Sequence, residues 1–278
     1  MSFRKITNAL SIILEIIRLT LKYRTMRLLL VFIIGLLFEM YDAFKLKTSL
    51  KHNLITYITE FKVFFKEIFE EQAYHLSRIY IRGRKEGVIL DCGAHIGLFT
   101  VWILKEISDT VKKRIKIIAI EPVYRNYRLF LFNIRIHNLR DVVIPLKIAI
   151  SDRCSVSEIL VSKGWKASSS LLETHLAKSG DAIERIEVVP TITLDKLIDF
   201  FVKDEILLIK MDIEGMEKDV LEHSQKVFNM TRAIIVEIHT TVNDPEYIIA
   251  LLKTHGFIID FIMKSIGGIL IFAYNSRI

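Results

Sequence analysis

The sequence predicts an α/β domain, a doubly wound and mainly parallel seven-stranded sheet, behind a helical N-terminal extension. Three observations carry that expectation. From Gly87 onward, short β-branched runs alternate with helical patterns, the rhythm of strands that pair in parallel through helical crossovers. The first of those strands runs into the loop Asp91-Cys92-Gly93-Ala94-His95-Ile96-Gly97, a glycine-bearing turn at the edge where open α/β sheets bind ligands. Before Gly87 the texture differs, with apolar residues recurring at helical spacing between basic flanks.

Taken in order, Ile6 to about Leu21 reads as a helix, interrupted in its apolar surface by Glu15 and Arg18 and free of Gly and Pro. The run Leu28 to Phe38 is bounded by Arg27 and Glu39 and resumes weakly through Met40, Tyr41, Ala43 and Phe44. A membrane span needs about 20 apolar residues, so this run falls short unless Glu39 and Asp42 lie among headgroups. A helix lying in the membrane interface and a buried helix packed on the next domain are the alternatives. The late start of the run, with no small-residue cleavage site after it, speaks against a signal peptide. From Leu54 to Tyr80, the residues Phe61, Phe64, Phe65, Ile68 and Phe69 recur at helical spacing and read as a packing face rather than a ligand box. The chain thus divides into an apolar, basic extension over residues 1–80 and an α/β domain over residues 81–278.

In the second part, strands are expected at Val88 to Leu90, Ile115 to Ile120, Val142 to Ile150, Val188 to Thr191, Ile206 to Met211 and Ala233 to Ile238. Helices are expected at Gly97 to Ile107, Tyr124 to His137, near Asp195 to Phe201, Glu217 to Phe228 and Pro245 to His255. The closing strands, Phe257 to Phe261 and Gly268 to Tyr274, flank a short polar turn and read as an antiparallel hairpin. Ser157 to Glu187, with Trp165 and Ser168-Ser169-Ser170, is the longest break in the rhythm and is expected to wall a substrate pocket.

With 51% hydrophobic residues but only 11 Gly and 4 Pro, the chain can bury a core and has little disordered linker. Much of its net charge of +7 comes from the extension, where Arg4, Lys5, Arg18, Lys22, Arg24, Arg27, Lys45, Lys47 and Lys51 face few acids. These flank apolar runs rather than aromatics spaced for base stacking, which points to a lipid surface and away from nucleic acid. Cys92 and Cys154, the only cysteines, stand in no zinc spacing. A reduced cytoplasmic setting fits, with the extension meeting the cytoplasmic face of a membrane, and Cys92 reads as a small packed residue rather than a nucleophile.

The loop carries the chemistry. Gly93 lets the backbone approach a ligand and Gly97 lets the helix start close to the strand, and Ala94 between them is expected in the cofactor-binding set. His95 stands where a positive φ is expected, which histidine tolerates better than most residues. Asp91 accepts from a ligand ammonium or orients the loop. One strand over, Glu121 lies at the same edge with two acceptor oxygens for the two hydroxyls of a ribose. Such an acid also serves NAD, but the loop lacks Gly-x-Gly-x-x-Gly, the cradle of a pyrophosphate. S-adenosylmethionine needs no such cradle and is the expected cofactor. After the third strand, Ser151-Asp152 offers Asp152 as an acceptor for the adenine amino group, or else a turn or helix cap.

In these segments the chain resembles the FkbM family of class I methyltransferases, over roughly Gly87 to His239. The matching stretches are Leu90 to Phe99, Ile120-Glu121-Pro122 with Asn126 and Asn133, Ala149 to Asp152, Thr193-Leu194-Asp195, Ile209 to Glu217 and Val236 to His239. His95 departs from the family pattern, which more often has Asn there. The resemblance implies a Rossmann-like sheet and S-adenosylmethionine-dependent methyl transfer, commonly to a hydroxyl of a sugar, lipid or natural product.

Methyl transfer from a sulfonium is an in-line displacement, and a hydroxyl acceptor gains from a base. Lys210, Asp212 and Glu214 follow the fourth strand, while Glu237 and His239 close the fifth, so both sets converge near the methyl group. Asp212 or His239 is the expected general base, with Glu214 and Lys210 fixing the acceptor or each other; a buried ion pair and a helix cap are the alternative. Lys210, Asp212 and Glu214 share a side only if the extended backbone continues past Met211, and Gly215 is expected to break it. Asp212, Glu214 and His239 are metal-type ligands, but no tight spacing demands an ion and none is expected. Glu217 is expected to serve the dipole of the following helix. Three functions follow: an O-methyltransferase acting on a glycan, glycolipid or other small metabolite; an NAD-type oxidoreductase, disfavoured by the loop; and a noncatalytic S-adenosylmethionine-binding module at a membrane or in a complex.

Overall fold

The computed structural model describes residues 3–45, 50–71, 73–75, 81, 86–162, 169–171, 182–203, 205–265 and 267–278. Its central sheet runs, edge to edge, β3 (Val143–Leu146), β2 (Ile115–Ile120), β1 (Gly87–Cys92), β7 (Ile206–Met211), β8 (Ala233–Ile238), β10 (Ile269–Asn275) and β9 (Phe257–Lys264). All pairings are parallel except those of β10, which runs antiparallel to both its neighbours. This is the doubly wound, Rossmann-like sheet with the closing hairpin that the sequence predicts. Strands β1, β7 and β8 are buried along their whole lengths, as strands covered by helices on both faces must be. The strand order reverses between β1 and β7, so their carboxyl ends open a crevice at a topological switch point.

Helices α4 (Leu98–Glu106), α5 (Asp109–Lys112), α6 (Tyr124–Ile136), α7 (Leu194–Phe201), α8 (Glu217–Glu222), α9 (Gln225–Met230) and α10 (Pro245–Thr254) make the crossovers. The single helix expected over Glu217 to Phe228 is two, because the buried Ser224 turns its Oγ back onto the Val220 carbonyl (2.6 Å) at the junction. The strand expected over Val142 to Ile150 also divides. After β3 the chain leaves the main sheet, and β4 (Ala149–Ile150) joins a second sheet with β5 (Ser155–Ser162) and β6 (Ile183–Ile192), in the order β4-β6-β5. Val188 to Thr191 is therefore part of this smaller sheet, and the described ends of the break at Ser157 to Glu187 lie in β5 and β6, which pair antiparallel. Trp165 and Ser168 lie outside the described residues.

The extension is helical: α1 (Phe3–Lys22), α2 (Met26–Lys45) and α3 (Leu50–Phe65), the last running directly into a π-helical turn, Lys66–Glu70. Its buried face is continuous with the core of the α/β domain. Phe32, Phe61, Phe65 and Phe69 share one apolar cluster with Ile89, Phe99, Trp102, Phe130 and Leu208, so the core runs across the division drawn at residue 80. Ring contacts continue along the stack, with Phe61 and Phe65 at 6.2 Å and Phe65 and Phe69 at 4.6 Å. A buried ion pair between Glu39 of α2 and Arg125 of α6 ties the layers together. Glu39 is thus spent inside the protein rather than among headgroups.

The opposite surface of α2 is exposed and apolar, carrying Met26, Leu30, Ile33, Leu37, Met40 and Tyr41 at helical spacing, and Leu10, Leu14 and Leu21 of α1 are exposed as well. No helix among the described residues is long and apolar enough to cross a membrane.

Candidate active site

The cofactor loop folds as its glycines require. Gly93 and Gly97 have φ of +81° and +85°, and His95 between them has φ +51°. The amides of Gly93 and Ala94 both donate to the Ile120 carbonyl (3.0 and 2.8 Å), which anchors the turn to β2. On the other side, Lys210 donates from Nζ to the Gly93 carbonyl (2.8 Å). A cavity of about 950 Å³, open mouth included, lies over this turn and is lined by Gly93, Ala94, His95, Glu121, Asn126, Lys210, Asp212 and Glu214 among others.

Asp91 does not face that cavity. It is fully buried beneath it, accepting from Thr100 Oγ1 (2.6 Å) with Lys210 Nζ 3.8 Å away, so it holds the loop rather than the ligand. Burial raises its carboxyl, and Lys210 works against that rise. Gly97 likewise acts through packing, because its α-carbon faces the Phe130 ring.

Glu121 lies in the cavity wall. Its Oε2 accepts from the His95 amide (2.9 Å) and its Oε1 from the Val123 amide (2.9 Å) and Asn126 Nδ2 (3.3 Å). With two donors on Oε1 and one on Oε2, the carboxylate keeps one further acceptor site, on Oε2. Burial pushes this carboxyl up to about 7 against the pull of those donors. His95 is neutral, pushed down to about 3 by burial and by the Arg125 and Lys210 charges, and its ring meets Phe64 of α3 at 5.2 Å. Two buried atoms of this wall, His95 Nε2 and Asn126 Oδ1, have no hydrogen-bond partner among the described residues. With Glu121 they form the polar set that a nucleoside would satisfy, while Ala149 and Ile150 supply an apolar wall for a base. Asp152 is not part of the lining; it takes a hydrogen bond from Ser151 Oγ (2.9 Å), as in the turn reading of that pair.

The other end of the cavity is charged. Lys210 and Asp212 share a side, Nζ to Oδ2 3.3 Å, although β7 ends at Met211. Glu214 takes a positive φ of 54° and Gly215 follows at 104°, so the chain turns sharply and carries Glu214 to His239, Nε2 to Oε2 3.2 Å. The same Nε2 is 3.8 Å from Asp212 Oδ1. Beneath them Glu217 is fully buried. Its Oε1 meets His239 Nδ1 (2.9 Å) and accepts from the Gly215 amide (3.0 Å), and its Oε2 accepts from Asn243 Nδ2 (2.6 Å). The expectation that Glu217 serves a helix dipole thus understates it, because its carboxylate fixes both the imidazole and the turn that presents Glu214.

Electrostatics sort these groups. Burial alone would discharge Lys210, but Asp212, Asp91 and Glu237 outweigh it and hold the ammonium protonated. His239 is likewise held as imidazolium well above its ordinary range, with Glu214 and Glu217 overcoming its burial. Burial raises Asp212, Lys210 notwithstanding, and pushes Glu237 up to about 7 with help from Asp212. Carboxylates outnumber cations here, which suits a positively charged ligand. Asp212, Glu214 and His239 each bring one ligand-type atom within 4.8 Å of the others, a spacing that could also hold a metal ion.

A methyltransferase FkbM domain matches residues 91–259, well over half of the chain, and the chain belongs to that family. Among solved structures, it is similar to a methyltransferase FkbM from Methylobacillus flagellatus KT at 15% identity and TM-score 0.47, over 80% of this chain and 54% of that one. It thus spans about half the length of that protein. A putative rRNA-methylase from Clostridium thermocellum (12% identity, TM-score 0.44, 73% of this chain and 94% of that one) and a methyltransferase from Geobacter sulfurreducens (14%, 0.43, 74% and 77%) are also similar. A search of the curated proteins finds no significant match.

Proposed function

We propose that this protein transfers a methyl group from S-adenosylmethionine to a hydroxyl of a glycan, a glycolipid or another small metabolite, while its extension rests on a membrane surface. One observation carries the reading: a single cavity joins the glycine turn and Glu121 at one end to Asp212, Glu214 and Lys210 at the other. Glu121 and Asn126 hold the nucleoside. When bound, the donor supplies an electrophilic methyl. Asp212 takes the acceptor proton, its basicity raised by burial, while Lys210 fixes its position. His239, already protonated and outside the cavity lining, positions Glu214 rather than serving as the base.

Incubating cell-extract fractions with labelled donor tests this. A labelled product whose methyl resists mild alkali supports an ether on a hydroxyl; label confined to carboxyl esters or to protein side chains would sink the acceptor class. Thorough removal of divalent ions with a chelator should leave the rate unchanged, because the imidazole nitrogens and Asp212 already have partners within the protein. Activity lost and then restored only by added Mg²⁺ or Mn²⁺ would reassign Asp212, Glu214 and His239 as an ion site.

Acidity should act on donor binding and stability in opposite directions. Glu121 titrates near 7 in the folded protein and near 4.5 when solvated, so the native state binds its proton more tightly than the unfolded chain does. Its contribution to stability is therefore full below the lower value and lost as pH rises through the upper one. Ribose recognition needs the ionised form. Between about pH 5.5 and 8 we expect the melting temperature to fall and donor affinity to rise, with the rise in affinity smaller in Glu121→Gln. Calorimetry in both proteins would show it, and identical pH profiles would remove Glu121 from the binding set.

The membrane reading rests on the apolar stripe of α2 together with exposed Arg18, Arg24 and Arg27 around the α1–α2 turn. Flotation with vesicles containing anionic lipid should carry the protein upward. Leu30→Gln with Leu37→Gln should abolish flotation without altering the melting temperature by more than about 2 °C, as both side chains are exposed. Flotation unaffected by this change would locate lipid contact elsewhere.

A further inference from the structure

The extension contributes four residues to the cavity wall, Phe64, Glu67, Ile68 and Tyr74, although residues 54–80 read from the sequence as a packing face alone. Three of the four are apolar or aromatic and are accounted for by packing. Glu67 is not. It stands in the π-helical turn that follows α3, a local geometry frequent at functional sites because it re-aims one side chain out of helical register. The residue is only 7% exposed and lines the cavity, yet its carboxyl has no hydrogen-bond or ion-pair partner among the described residues.

The charges around it explain why that matters. After burial, the charges that act on Glu67 are Glu237 and Asp212, then Lys210 and Glu71, the residue that closes its own turn. Lys210 is already committed to the Gly93 carbonyl and to Asp212. A lone carboxyl buried among other acids is pushed up to about 8 and stays protonated, a costly arrangement unless a cation arrives. Lys210 and Glu237 lie on β7 and β8 and Asp212 directly follows β7, on the side of β1 opposite to β2, whose end carries Glu121. A donor whose ribose sits at Glu121 runs its methionine moiety toward the β7 and β8 side, and this moiety carries an ammonium group.

We infer that Glu67 is a donor-binding residue, its carboxylate receiving the ammonium of the methionine moiety, so that the N-terminal extension forms one wall of the active site. This rests on the reading of S-adenosylmethionine as donor. It follows that the extension is required for donor binding independently of any lipid contact.

Calorimetry on the full chain tests the assignment with three ligands: S-adenosylmethionine, S-adenosylhomocysteine and 5′-methylthioadenosine, which keeps the nucleoside but lacks the amino-acid chain. In Glu67→Gln, the first two should bind about tenfold more weakly while methylthioadenosine binds as it does to the unaltered protein. Glu67→Asp should recover part of the loss. Equal weakening of all three ligands would show a structural role for Glu67 and overturn the inference, as would unchanged affinity for all three. Failure of the unaltered protein to bind S-adenosylmethionine or S-adenosylhomocysteine would instead remove the donor reading, and this assignment with it. Because methylthioadenosine reports on the nucleoside end alone, it also separates a lost contact from a misfolded variant.

Discussion

Asp212→Asn is expected to lower kcat by roughly 10² to 10⁴ while leaving donor affinity within about threefold. The change removes the ability to take a proton, together with the negative charge that faces Lys210 Nζ at 3.3 Å. Asparagine keeps the shape of the side chain, and Lys210 keeps the Gly93 carbonyl as its principal partner at 2.8 Å, so the turn should survive. The size of the effect follows from the absence of a good substitute. His239 is held as imidazolium between Glu214 and Glu217, and a base that already carries its proton cannot collect another. Rates on the acceptor found by labelling, with donor affinity measured separately, would settle it. A kcat within threefold of the unaltered enzyme would show that the proton leaves by another route. A loss shared equally between kcat and donor affinity would mean that Asp212 positions the donor instead.

The role of His239 then becomes geometric, and it depends on a residue whose importance local sequence conceals. Glu217 opens a helix of six residues, where an acid ordinarily needs no explanation beyond the dipole. Its partners are the Ile213 to Gly215 turn just before it and His239 and Asn243, 22 and 26 residues further on. Only the parallel pairing of β7 with β8 brings these together, so no spacing rule along the chain could have revealed them. The cofactor loop is the opposite case. Backbone geometry there is dictated by residue type, and a sequence with Gly, His and Gly at alternate positions announces the positive φ values that the structure has.

The same contrast runs through the fold. The parallel strands were legible because β-branched runs buried on both faces leave no other solution, and the closing hairpin because its turn is short and polar. The second sheet was not legible. β5 is exposed or partly buried over its first half and pairs with β6, whose first six residues are likewise exposed or partly buried, so neither has the continuous apolar signal of the central strands. Glu67 was hidden for a different reason. It lies three residues after Phe64 and one before Ile68, within an apolar stripe, and that intrusion of a carboxylate into a buried face was the available signal. For Asp152 the sequence left an adenine acceptor and a turn side by side; in the structure it takes a hydrogen bond from Ser151 Oγ and is not part of the cavity lining.

Gly93→Ala should abolish donor binding to within the limits of calorimetry and destabilise the fold by about 2–4 kcal/mol. An added Cβ would lie 1.8 Å from the Asp212 carbonyl oxygen, and φ is +81° there, so both contact and conformation oppose any side chain. Neither wall can yield cheaply. Gly93 is tied to Ile120 through its amide (3.0 Å) and to Lys210 through its carbonyl (2.8 Å), while Asp212 donates its amide to the Cys92 carbonyl (3.0 Å). Relief therefore has to come from moving the turn or the base, and either movement spoils the site. Gly97→Ala is the informative comparison, since it shares the positive φ but its Cβ would meet the Phe130 ring at 2.3 Å, a side chain that can rotate or shift. We expect it to cost less stability and to retain measurable donor affinity. Melting temperatures and donor titrations of the two variants side by side decide the matter. If Gly97→Ala proved the more damaging, the tight approach of the loop to Asp212 would not be what assembles the site.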